Sequence, residues 1–419
     1  MSTRPSTQGR PGASTTDHTI RLPRPVPAEL ATELARRIFF VSENIASFRL
    51  LRGPDDAVDA VALRTGAAEP TAELARKLRH MVGTDVLGQL TRPAKVIWRS
   101  TRTADTRPGV FEALADRGAA FEAGEGQVAV GEPILTIMDR FDGMLREIAV
   151  TELGATEFRY PTLVPTGALQ RSGYFSAFPQ HVMLATRLRG DLDVYREFTE
   201  RDEGDGDVGA AMLAHCRNAD YCLPPTMCYH TFHQYAGKRL SSPSTVVTAR
   251  GKSFRYEGRY HASLERLWDF TIREIVFMGE RDQVLDGRQR FLRRAIELVE
   301  RFGLCGRCEV ATDPFFCAAD GAERISAQRL LELKYELRLD IAPDATVAVG
   351  SFNFHEQHFG TAFDITGCDR GPIWTGCVGF GLERLAYAFV CQHGLDESGW
   401  PEEFLGGERG RPHDRGIDR

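Results

Sequence analysis

A glycine-rich run that passes straight into an amphipathic pattern constrains this chain most. Gly376-Cys377-Val378-Gly379-Phe380-Gly381-Leu382-Glu383-Arg384-Leu385 reads as a strand feeding a helix. Leu382, Leu385, Ala386 and Phe389 follow at i, i+3, i+4 and i+7, which is one apolar helical face. The glycines let backbone approach a flat or charged ligand closely. Arg384 falls in the first helical turn, where a guanidinium can take a phosphate through two parallel hydrogen bonds. Taken alone, Gly-x-Gly-x-x-Arg describes a plain strand-to-helix turn equally well.

A second element narrows the reading. Phe254-Arg255-Tyr256-Glu257 is strand-like, and Arg255 and Glu257 share a face. A loop with Gly258 follows, and a second strand puts Phe270, Ile272 and Glu274 on one face. Two antiparallel strands joined this way would present Arg255, Glu257, Phe270 and Glu274 to one pocket. An arginine for a phosphate, an aromatic face for a purine and a carboxylate for an amine make an adenylation site. Phe270 alone reads as core. Glu274, in an otherwise apolar strand, needs a partner, and a metal ion or an ammonium would serve.

Arg255-x-Glu257 with Phe270-x-x-x-Glu274, and Gly379-x-Gly381-x-x-Arg384, resemble motifs 2 and 3 of class II aminoacyl-tRNA synthetases of the seryl branch. Pro161, in Phe158-Arg159-Tyr160-Pro161, resembles the motif 1 proline of that class, which implies a homodimer. The chain is similar, more narrowly, to the amino acid:[carrier protein] ligases, truncated seryl-synthetase homologues. The stretches that carry this are Ser172–Pro179, Cys228-Tyr229, Asp313-Pro314-Phe315-Phe316, Lys334-Tyr335-Glu336-Leu337, Ser351–His355 and Cys377–Gly381, spread between about residues 110 and 401.

The resemblance implies an α+β fold, a class II synthetase-like antiparallel β-sheet core flanked by helices; the residue pattern ahead of it adds a small N-terminal α/β domain. It implies ATP-dependent activation of a small amino acid, glycine or alanine, as an aminoacyl-adenylate. The aminoacyl group would then pass to the phosphopantetheine thiol of a carrier protein. Arg255 and Arg384 become the catalytic residues. Arg255, Glu257, Phe270, Gly379, Gly381, Arg384 and Glu336 become the ATP site, and Thr226, Glu274, Asn353 and His355 the substrate site. Where seryl synthetases carry Thr-x-Glu, this chain has Thr226-Met227-Cys228. The family therefore implies one Zn²⁺ per subunit on Cys228, Glu274 and Cys377, although separations of 46 and 103 residues are no short-range metal motif.

Mg²⁺ is implied with ATP, but Thr346–Ser351 lacks the acid that seryl synthetases use for it, which leaves Glu336. The alternative reading is a zinc-dependent seryl-tRNA synthetase charging tRNA; no long charged coiled-coil arm precedes the core to favour it. A non-enzymatic paralogue binding an amino acid or an adenylate is a third reading. His355 and His358 are expected to line the site rather than bind metal, and His230 and His233 to make local hydrogen bonds.

Composition limits the setting. In 419 residues, 42% are apolar and 26% charged, which fits two or three globular domains. No run approaches the ~18 apolar residues of a membrane span. Met1–Asp17 is rich in Ser, Thr, Gly and Pro and has no hydrophobic segment, so it reads as neither signal nor anchor. Nine cysteines, an odd number, suggest reduced thiols in a cytoplasmic protein. Cys305-x-x-Cys308, with Cys317 nearby, is a competing metal pair, but single pairs of this kind are more often packed or accessible thiols. The net charge of −6 is uneven: Arg21–Val110 holds fifteen Lys/Arg against ten Asp/Glu. That front could meet an acidic protein or a phosphate backbone, or be an ordinary solvated surface.

The expected organisation is a disordered tail over 1–18, a small basic α/β domain over 19–107, a catalytic domain over 108–401 and a disordered tail over 402–419. Within the front, strands are expected at His18–Leu22, Val58–Leu63 and Ala94–Arg99, with helices at Ala28–Arg49 and Pro70–Leu90. Later strands are expected at Ser253–Glu257, Phe270–Met278, Glu332–Ile341 and Thr346–Phe354. A helix is expected over Gln283–Phe302, its core face formed by Phe291, Ala295, Val299 and Phe302, with Gly303 as its stop.

Overall fold

The computed structural model describes residues 15–66, 69–89, 94–200, 208–217, 219–259, 263–313 and 321–406. The front unit is a three-stranded antiparallel sheet of β1 (Thr16–Val26), β2 (Ile45–Arg52) and β3 (Val58–Thr65), in the order β1-β3-β2. Helices α1 (Ala31–Ile38) and α2 (Thr71–Met81) cover one face. Leu34, Ile38, Val61, Leu63, Leu74 and Leu78 form the core between them, separate from the core of the rest.

Two expectations change here. The first strand starts at Thr16 rather than His18, because Thr16 and Asp17 already pair with Thr65 and Arg64. The helix ends at Ile38 rather than Arg49. Beyond Asn44, Ile45–Arg52 finds an antiparallel partner in β3, with register shifts near both ends, and a ladder shared with Val58–Thr65 overrides the local helical pattern.

The large sheet has eight strands: β4 (Val96–Arg99), β5 (Thr156–Phe158), β6 (Ser244–Phe254), β7 (Asp269–Gly279), β8 (Gly306–Val310), β9 (Lys334–Ala342), β10 (Ala345–Phe354) and β11 (Trp374–Gly381). Their order is β4-β8-β9-β10-β11-β7-β6-β5, and every pairing is antiparallel except β5 with β6. Strand β4 was expected in the front domain. It is instead the edge of this sheet, tied by β8 and by a Trp98 Nε1–H bond to Glu300 of 2.8 Å.

Each central strand divides its side chains by alternation. Ile275 and Phe277 of β7, with Val378 and Phe380 of β11, face a helical layer. That layer contains Ile134–Glu147, α3 (Arg281–Arg301) and α4 (Leu382–His393). In α3, Phe291, Ala295 and Val299 are buried as the periodicity requires, and Gly303 takes φ +67 just past its end. Val276, Met278 and Cys377 face the opposite way, toward Tyr229, Phe232 and Phe359. The sheet is therefore buried on both faces.

At the C-terminus, Glu402–Leu405 is a short helix rather than part of a disordered tail. Phe404 is fully buried against Phe141, Phe302 and Phe389, and that burial orders the turn. Residues 1–14 and 407–419 of the expected tails, Pro314–Phe316 and Cys317 lie outside the described residues. No helix among the described residues is long and apolar enough to cross a membrane.

Candidate active site

Strand register builds the site. Glu336, Ser351, Gly379 and Glu274 stand side by side across β9, β10, β11 and β7. One step along, Lys334, Asn353 and Cys377 form a parallel row on the same face. Cys228 opens a helix, Cys228–Gln234, laid across that face.

Cys228, Glu274 and Cys377 meet there, all buried, with one ligand atom of each within 4.8 Å of the others. The Cys228 backbone N–H donates to Glu274 Oε2 at 2.9 Å, and Thr226 Oγ1–H donates to the same oxygen at 2.5 Å. Both bonds fall on Oε2, which leaves Oε1 for a ligand. Burial, then the neighbouring Cys377 and Glu274, push the Cys228 thiol well up from its ordinary value. A hydrogen bond from Cys228 works to lower the Cys377 thiol, but burial and Glu274 raise it on balance. Burial and a neighbouring carboxylate disfavour the thiolates here, and a bound cation would favour them. Two thiols and a carboxylate, buried and convergent, could hold a metal ion, and Cys and Glu are ligand types that zinc accepts.

Asn353 and His355 border this triad. Asn353 Nδ2–H points at Cys377 Sγ from 3.4 Å, and His355 Nε2 lies 3.5 Å from the same sulfur. Burial pushes the His355 imidazole down to about 3, so the ring is neutral. His230 stacks on Tyr160 at 5.3 Å, outside the triad. Cys305 and Cys308 are separately buried thiols, Cys308 in the main core.

The other end of β7 is rich in cations. Phe270 lies about 13 Å along the strand from Glu274, four residues at ~3.3 Å each. The Arg255 guanidinium sits over the Phe270 ring, 5.4 Å from its centre, and its Nε–H donates to the Pro225 carbonyl at 3.0 Å. Arg255 and Glu257 lie just past the end of β6, not within it.

Arg384, in the first turn of α4, donates to the carbonyls of Glu265 at 2.6 Å and Ala348 at 3.3 Å. Burial, with Arg266 and Arg255 nearby, pulls its guanidinium down to about 10. Burial would raise the Glu257 carboxyl, but Arg266, His181 and Arg255 outweigh it and hold it at about 2. Gly381 caps α4, and a Cβ on Gly379 would meet Ile272 Cδ1 at 2.9 Å.

Glu336 is not free: Arg338 lies 2.9 Å and Lys334 3.4 Å from its oxygens. A Mg²⁺ ion there competes with two resident cations.

The sequence reading gave no site role to Arg266, Lys334, Asp313 or Gln328. Arg266 pairs with Glu257 at 2.6 Å. Lys334 is buried and donates to Asp313 Oδ1 at 2.6 Å, and Gln328 Nε2–H donates to Asp313 Oδ2 at 2.7 Å. Strand alternation puts Lys334 on the Glu336 face, a signal that was legible. Arg266 lies in an irregular loop, where no periodicity marks it.

The front unit borders the loop after β6. The Phe40 ring meets His181 edge-on at 6.3 Å, and His181 Nδ1–H bonds the Tyr256 carbonyl at 3.1 Å. A Cβ on Gly258, at φ +58, would meet Phe40 at 3.5 Å and Phe39 at 3.6 Å.

This sheet, with its motif strands and helix order, has the class II aminoacyl-tRNA synthetase fold. The structure superposes on Methanopyrus kandleri seryl-tRNA synthetase, solved in complex with Aquifex aeolicus tRNASec. The TM-score is 0.66 at 21% identity, over 94% of this chain and 77% of that one. No family model matches the chain. Amino acid–[acyl-carrier-protein] ligase 1 of Bradyrhizobium diazoefficiens is 31% identical over 302 residues, 71% of this chain and 90% of that protein. The type-2 serine–tRNA ligase of Methanococcus aeolicus is 28% identical over 287 residues, 67% of this chain but only 55% of that enzyme. The chain belongs to the amino acid–[acyl-carrier-protein] ligase family.

Proposed function

We propose that this protein activates a small amino acid, glycine or alanine, with ATP and transfers it to the phosphopantetheine thiol of a carrier protein. The observation that carries this reading is the buried Cys228–Glu274–Cys377 triad beside the Arg255–Phe270 pair.

Cys228, Glu274 and Cys377 would hold Zn²⁺, which when bound offers its open position to the amino group of the substrate. The rest is the work of the chain. Phe270 stacks the adenine while Arg255 and Arg384 gather the phosphates, placing the substrate carboxylate in line with the α-phosphate. Their charges, fixed in a buried site, stabilise the negative charge that develops as pyrophosphate leaves. Mg²⁺ enters with ATP. The carrier thiol then attacks the adenylate carbonyl and AMP departs. No side chain is assigned as its base, because a thiol is already a few per cent thiolate near neutral pH.

The motif 1 segment around Pro161 supports a homodimer, and the reduced thiols support a cytoplasmic location. A second reading, serine transfer to tRNA, is favoured by the likeness to type-2 serine–tRNA ligases. Amino acid-dependent exchange of pyrophosphate into ATP tests the activation step. Exchange with glycine or alanine, abolished by zinc removal, is expected. No exchange with any small amino acid would refute the reading.

A further inference from the structure

Resting on the metal reading above, we propose that Asn353, His355 and Thr375 form a positioning shell that holds Cys377 as the anchoring thiolate of the triad. Two side-chain nitrogens converge on this one sulfur, Asn353 Nδ2 as a donor at 3.4 Å and His355 Nε2 at 3.5 Å. Each is itself fixed. Ser351 Oγ accepts the other Asn353 Nδ2 hydrogen at 3.3 Å. Thr375 Oγ1 lies 3.3 Å from His355 Nδ1. With the Thr375 hydroxyl donating to Nδ1, the ring hydrogen sits on Nε2 and faces the sulfur. The rings of Phe232 and Phe359 meet the imidazole edge-on at 6.1 and 4.8 Å and hold its plane.

Strand pairing explains the convergence. Asn353 is the direct partner of Cys377, while Thr375 stands two residues before Cys377 on the same strand. The arrangement is one-sided. Among the described residues no side-chain N–H reaches the Cys228 sulfur. The two thiols are therefore unequal: side chains outside the triad hold Cys377, while Cys228 meets its triad partners Cys377 and Glu274. Asn353 and His355 are thereby placed to act through the metal-binding sulfur.

Binding of Co²⁺ tests this without turnover, since thiolate-to-cobalt charge transfer reads the sulfur directly. The proteins are the full chain, His355→Leu, Asn353→Ala, Thr375→Val and His355→Gln. His355→Leu keeps an apolar body against Phe232 and Phe359, and Thr375→Val keeps shape, so one of them reports even if another folds poorly. Loss of either donor is expected to shift the charge-transfer band to lower energy, because a thiolate without N–H donors gives more charge to the metal. Co²⁺ affinity, read by chelator competition, should fall about 10- to 100-fold. Thr375→Val should shift the band the same way by less, and His355→Gln, which restores a donor, should recover it. A wild-type band that His355→Leu and Asn353→Ala leave unchanged overturns this inference alone. A wild-type chain with no thiolate band overturns the metal reading and this inference with it.

Discussion

Glu274 stands directly across the β7–β11 ladder from Gly379, two residues from Cys377 on the same strand face. Residues 103 apart in sequence become diagonal neighbours, which is why two distant motifs can share one ion. A methyl group at 379 would come within 2.9 Å of Ile272 Cδ1, the far end of a side chain that can turn aside to admit it.

Cys228→Ala and Cys377→Ala should each lose bound zinc together with amino acid activation. The measurement is metal analysis of purified protein alongside pyrophosphate exchange. A variant that retains stoichiometric zinc removes that cysteine from the ligand set.

Arg384→Ala should lower the rate of adenylate formation about 10²- to 10³-fold, the usual effect of losing one fixed charge donor. Zinc content should not change, since Arg384 contacts the carbonyls of Glu265 and Ala348 rather than the triad. Normal exchange rates would refute its phosphate role.

Glu257 gives a pH signature. Its folded value, about 2, lies below the ordinary 4.5, so its stabilising contribution is complete above about pH 4.5 and fades as pH falls toward 2. Wild type should therefore melt higher than Glu257→Gln near neutrality, and the gap should close on acidification. A gap in Tm that stays constant across this range contradicts the pairing with Arg266.

Truncations separate the two units. Removing residues 1–89 leaves β4 on the large sheet, whereas removing 1–107 strips that edge and exposes β8. The shorter deletion should keep adenylate formation and weaken acceptor use; the longer one should also lower Tm. Unchanged acceptor kinetics after the shorter deletion would remove any acceptor role for the front unit. At the other terminus, Phe404→Ala should cost about 3–5 kcal/mol, as for a buried aromatic.

The fold class was legible in the motif strands, and the structure brings the motif residues together: Cys228, Glu274 and Cys377 meet, and Arg255 lies over Phe270. The helix expected to reach Arg49 failed because Ile45–Arg52 has both helical spacing and strand-forming residues, and only the distant partner β3 decides between them. Strand β4 was misassigned for the same reason: its partner β8 lies some 200 residues away. Asp313 and the buried Lys334 form a pair whose meeting depends on strand β9 and the segment before it, which no local pattern records.

The most direct measurement is a competition between acceptors. The enzyme is given ATP, labelled glycine, alanine or serine in turn, total tRNA and a phosphopantetheinylated carrier protein. The account predicts thioester-linked glycine or alanine on the carrier, released by hydroxylamine, with tRNA unlabelled. Serine esterified to tRNA, with the carrier unlabelled, would contradict it.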